Sequence, residues 1–135
     1  MRRLANWDVA LGHYFADTRR LAHRYGKADC ALYAAGAILA MTGEDFARWH
    51  RSKYTTEAGA ARYMRRQGWQ DLAALGDAFL PRIDLAKAGR GDLLLMPGDA
   101  GEFFAIKAGA RAVALGERGP ELFAIDPNSL AWKVG

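Results

Sequence analysis

Cys30 is the residue in this chain whose type and place could do covalent chemistry. It follows Asp29 and opens an apolar stretch, Ala31 to Met41, that reads as a helix. A thiol in the first helical turn feels the positive end of the helix dipole, which favours the thiolate and lowers its pKa. A thiolate becomes a catalyst when a histidine takes its proton and a third group orients that histidine. Only His13, His23 and His50 are available, and no histidine follows residue 50. His23 lies seven residues before Cys30, so a loop could return it to the thiol as a substitute base. A histidine so placed is more often a solvated charge at a helix C-terminus. Asp29 reads first as the N-cap of the cysteine helix. His13 and His50 read as helix-surface residues. A lone cysteine is otherwise a small buried hydrophobe, and the residues alone leave both readings of Cys30 open.

Other chemistries find less support. One cysteine cannot form an internal disulfide, and the three histidines are not spaced with Cys30 for a tetrahedral metal site. Nothing asks for a cofactor. Gly116-Glu117-Arg118-Gly119-Pro120-Glu121 is glycine-rich but lacks the strand-to-helix setting and Gly-Lys-Ser/Thr ending of a phosphate loop. It reads as a hairpin turn. The formal net charge is +4, distributed as +6 over residues 1–66 and −2 over residues 67–135. Such an imbalance describes solvated helix faces first and an acidic partner surface second. The cations are not interleaved with aromatics as in nucleic-acid modules, so a basic nucleic-acid adaptor is the weakest reading.

The elements that must position Cys30 follow from periodicity. Trp7, Leu11, Tyr14, Phe15, Thr18, Leu21 and Ala22 recur at helical spacing, predicting a first helix capped by Asn6. Arg19, Arg20, His23 and Arg24 fall in its last turn, and Gly26 ends it. The second helix, Asp29 to Met41 with Gly43 beyond it, is apolar on every face and therefore central. A short helix over 44–51, another over 56–67 closed by Gly68, and one or two turns over 70–79 complete the helical half. From Gly91 the pattern changes to short β runs: 93–96, 103–108, 111–115, 122–125 and 131–134. Helices followed by a meander of about five antiparallel strands predict an α+β domain over residues 1–135.

With 135 residues and 51% hydrophobic content, the chain can bury an ordinary core. No apolar run approaches the roughly 20 residues that span a bilayer. The opening Met1-Arg2-Arg3-Leu4-Ala5-Asn6 lacks the apolar stretch of a secretory signal, predicting a chain that stays where it is made. Trp49, Tyr54 and Trp69 lie in the less regular middle segment, where an exposed subset would anchor a protein partner.

Four stretches in order carry a resemblance: Tyr25-Gly26-Lys27-Ala28-Asp29-Cys30-Ala31-Leu32, Met41-Thr42-Gly43-Glu44-Asp45, Gly91-Asp92-Leu93-Leu94-Leu95, and Ala131-Trp132-Lys133-Val134. Together the chain resembles, from Trp7 to Val134, small NlpC-like proteins found among phage and prophage tail genes. The resemblance implies a papain-like NlpC-type fold, with Cys30 at the nucleophile position of an Asp-Cys pair. It also implies a Gly-Asp opening the first strand and a catalytic histidine at the start of the second. Here that strand reads Glu102-Phe103-Phe104-Ala105-Ile106-Lys107, and the histidine would fall near Phe103. Glu102 beside a thiol would raise its pKa rather than activate it. Arg111 to Leu115 offers no group to orient a base.

The resemblance therefore implies a peptidase fold without its peptidase. The expected role is a structural or assembly subunit of a phage or phage-derived tail tip, docking on tail hub proteins. It would be made in the host cytoplasm and carried on the virion tail. The alternative is a weakly active cysteine peptidase or amidase acting on cell-wall (peptidoglycan) peptides during entry.

Overall fold

The second helix organises the molecule. In a computed structural model describing residues 1–135, α1 spans Trp7–Asp17, α2 Cys30–Thr42, α3 Glu57–Arg66 and α4 Leu72–Phe79. Six strands follow: β1 Arg82–Ile83, β2 Leu93–Met96, β3 Phe103–Lys107, β4 Arg111–Gly116, β5 Gly119–Ala124 and β6 Leu130–Trp132. The class is α+β. All strand pairs are antiparallel, and the order across the sheet is β1-β6-β2-β3-β4-β5.

α2 starts and stops where its end residues dictate. Asp29 is extended and accepts from the Leu32 N–H, while Gly43 takes the left-handed φ of 80° that closes the last turn. Between them the helix is mostly Ala and Leu-sized residues, so it sits deep, with Ala37 and Met41 fully enclosed. It packs on the sheet through Leu93, Leu95, Phe104 and Ile106, which register pairs Leu95 with Phe104 and Leu93 with Ile106. The alternate residues Leu94, Met96, Ala105, Ala112 and Ala114 face the other side. There Ile83, Leu85, Ala88, Phe103 and Phe123 cover them. Burial on both faces explains why β2 reads as an unbroken apolar run rather than an alternating one.

Several boundaries differ from expectation. α1 ends at Asp17 rather than near Arg24, because the Thr18 hydroxyl bonds back to the Tyr14 carbonyl and also meets the Tyr33 hydroxyl. Arg24 and Ala28 instead pair backbone to backbone around a tight turn. Gly26 holds φ 81° in that turn, and a Cβ there would lie 1.9 Å from the Tyr54 carbonyl oxygen. Gly26 is thus a close-approach residue, not a helix stop, and His23 does not sit at a helix end. Asn6 precedes α1 but makes no side-chain cap.

Residues 44–51 form turns, not a helix. Asp45 accepts from the Ala47 N–H and binds Arg51 through both oxygens, an Asx arrangement that competes with helical bonding. The sheet has six strands rather than five. β1 is only two residues long and exists because it pairs with β6, a contact without any local signal. The glycine-rich segment does form the expected hairpin, with Gly116 paired to Gly119. No helix is long and apolar enough to cross a membrane.

Candidate functional site

The turn that replaces the end of the first helix delivers Asp29 and Cys30 to the head of α2. Asp29 is buried and its carboxylate is held from three directions. Oδ1 accepts from the Leu32 N–H at 3.0 Å, and Oδ2 accepts from the Gly26 N–H at 3.1 Å and from the Tyr54 hydroxyl at 2.7 Å. Asp29 is therefore a cap and a latch. It locks the turn, the helix start and the segment carrying Tyr54 together.

Cys30 is partly buried against the main core cluster. Two influences on its thiol oppose each other. Helix-head and strand N–H groups favour the thiolate, through the backbone at Phe104, Ala31 and Cys30 itself. Removal from water disfavours it and is the larger effect, and the Asp29 charge adds to it, so the thiol is pushed up to about 11. This corrects the expectation of a lowered thiol pKa. Burial outweighs the dipole.

Phe103 and Phe104, at the start of β3, face opposite sides of the sheet. Phe103 points to the far face of the sheet, where its ring centroid lies 5.0 Å from that of Phe123. Phe104 is the β3 residue on the α2 side, 3% exposed, with its ring edge-on to Trp132. His23 packs edge-on against Tyr25 and is not among the groups acting on the thiol. Glu102 is exposed and leads into β3. The groups brought to Cys30 are thus Asp29, the backbone of Phe104 and the Tyr25 and Tyr54 phenols, whose pKa values the Cys30 charge helps to raise, while His23 and Phe103 are not among them. No group of three or more His, Cys, Asp or Glu residues is placed to hold a metal ion.

Asp92, of the Gly91-Asp92 pair, has a structural role. Its buried carboxylate accepts from Arg3 at 2.9 Å and from the Val134 N–H at 3.0 Å through Oδ1, and from the Gly89 N–H at 2.8 Å through Oδ2. Arg3 also donates to the carbonyls of Arg90 and Val134 and lies 4.2 Å over the Trp7 ring. This cluster ties both ends of the chain to the start of β2.

A second feature lies on the other side of Phe104. An apolar cavity of about 100 Å³ opens between α2 and residues 46–80, with His50, Tyr54, Tyr63, Trp69 and Phe104 on its wall. His50 is not a helix-surface residue. Its Nδ1 lies 2.5 Å from the Tyr63 hydroxyl, and its ring meets Trp69 edge-on at 5.3 Å. Burial, helped by the Lys53 charge, lowers its pKa. The aromatics at 54, 63 and 69 are the legible signal for this wall, while Trp49 stands outside it, exposed.

Beyond the geometry, the profile of a domain of unknown function (DUF6950) matches residues 2–134. The chain belongs to the DUF6950 family. No curated protein matches it. The match spans both the Cys30 corner and the cavity, so this DUF6950 domain contains every feature described above.

Proposed function

We propose that this DUF6950 protein is a non-enzymatic structural or assembly subunit built on an NlpC-type, papain-like scaffold. Its expected setting is the tip of a phage or phage-derived tail, made in the host cytoplasm and docked on hub proteins. The observation that carries the non-enzymatic reading is the pairing of Cys30 with Phe104. A cysteine opens the central helix, and the strand residue whose backbone N–H meets its sulfur is Phe104, whose ring cannot accept a proton. General-base help is worth typically 10²–10⁴-fold, and the thiol, held up to about 11, is overwhelmingly protonated at neutral pH. The tail setting rests on the sequence resemblance to NlpC-like proteins of phage tail genes. The order cysteine helix, Gly-Asp strand, second strand supports it.

The test has two parts. Mass spectrometry of purified tail particles is expected to find the chain, and its absence would remove the assembly role. Incubation of the protein with peptidoglycan is expected to release no peptides. Release that disappears in Cys30→Ala would establish the alternative, a cysteine peptidase or amidase.

A further inference from the structure

We infer that the cavity beside Phe104 receives one aliphatic side chain from an acidic segment of a protein partner. The inference rests on the assembly reading and names the chemistry of what the subunit docks against. The cavity supplies the first argument. Sixteen of its eighteen lining residues are hydrophobic. The two hydroxyls on its wall are already engaged, Tyr54 with Asp29 and Tyr63 with His50. A polar ligand would lose its hydration there and gain little in return. Its volume of about 100 Å³ is below the roughly 150 Å³ of a cavity that takes benzene. One branched aliphatic side chain suits it, and a nucleobase does not.

Charge supplies the second argument. The elements that wall the cavity carry Arg48, Lys53, Arg62, Arg65 and Arg66, all exposed and none in an ion pair. Over residues 44–80 Asp45 is committed to Arg51 and Asp77 to Arg82, leaving Glu44, Glu57 and Asp71 against five cations. Such a field draws in acidic chains and fixes their approach. Trp49 stands beside it, 71% exposed, with the Arg48 guanidinium 4.9 Å from its ring centroid. An exposed tryptophan beside a desolvated pocket and a charged rim is the usual make-up of a binding hot spot.

The experiment is a selection of random peptides on the isolated full chain. Enriched peptides are expected to share a Leu, Ile or Val flanked by Asp or Glu. A synthetic peptide of that pattern should lose at least about tenfold in affinity when its aliphatic residue becomes Ala, and again against Arg65→Glu/Arg66→Glu. Its affinity should also fall between about 50 and 200 mM salt. Ala35→Leu, which fills the cavity from α2, should weaken the same peptide. The exposed arginine pair keeps the test valid if that core variant does not fold. No enrichment, enrichment of basic or purely polar peptides, or preferential binding of single-stranded DNA would overturn the inference. Because the selection uses the chain alone, acid-flanked aliphatic peptides would uphold it even if tail particles lacked the protein. A chain present in particles that selects no such peptide would retain the assembly role and reject this pocket.

Discussion

The Tyr54 hydroxyl donates to Asp29 Oδ2 at 2.7 Å, across 25 residues of sequence. The carboxylate next to the thiol is thereby spoken for. It holds the Gly26 turn, the head of α2 and Tyr54 at once.

This latch predicts an order of costs. Tyr54→Phe removes one hydrogen bond to a charged, buried oxygen and should lower unfolding free energy by about 1–2 kcal/mol. Asp29→Ala also removes the helix cap and should cost more, about 2–4 kcal/mol. Urea unfolding of both variants is the measurement. A Tyr54→Phe cost near zero would show that the contact does not hold the corner.

Cys30 predicts a pH dependence with a defined sign. Its folded pKa, about 11, lies above the value of 9.0 for a free thiol. The folded state therefore binds the extra proton in that interval, and stability contributed by the thiol is complete below about pH 9. It is lost as pH rises toward 11. The tyrosines Tyr14 and Tyr54, also raised by burial, add to the alkaline loss. Unfolding free energy should fall more steeply above pH 9 in the wild type than in Cys30→Ala. Alkylation of the native protein should be slow at pH 7. Identical slopes, or a thiol that titrates below about 8.5, would contradict the burial argument.

The facing of β3 predicts which substitution can speak to the thiol. Phe104→His would put an imidazole on the α2 side of the sheet and lower the Cys30 pKa, at a stability cost of about 2–4 kcal/mol for breaking the core. Phe103→His would put it beside Phe123 on the far face and leave the thiol unchanged. The pH dependence of iodoacetamide labelling distinguishes them. Equal effects would mean that the strand register is different.

Arg3 predicts a large effect from an N-terminal residue. Arg3→Ala strands the buried Asp92 carboxylate and frees two carbonyls, which should cost about 3–5 kcal/mol. Arg3→Lys should recover little, since one ammonium cannot reach Asp92, Val134 and Arg90 together. Thermal or urea unfolding measures both. A loss below about 1 kcal/mol would mean that the chain ends are held by something else.

How much of this was legible in the sequence varies by element. α2 was readable because its signals are local: Asp29 before it, Gly43 after it, and apolar residues all round. The α+β order and the principal strands were readable for the same reason, as short apolar runs separated by glycine and proline. The end of α1 was not readable, because Thr18 turns back on Tyr14 while meeting Tyr33 of another helix. The 44–51 turns, with their Asp45–Arg51 pair, resemble a helix in composition alone. β1 has no sequence signature at two residues, and only β6 makes it a strand.

At the site, the sequence by itself determined that a single cysteine opens a buried helix and that no histidine follows residue 50. These are matters of residue type and nearest neighbours. Tertiary structure decided the rest: that Phe104 and not Phe103 lies on the α2 side of the sheet, that Asp29 belongs to Tyr54, and that His50 walls a cavity. It also decided the protonation of Cys30. The helix dipole is written in a few adjacent residues, whereas desolvation depends on every element packed over the sulfur.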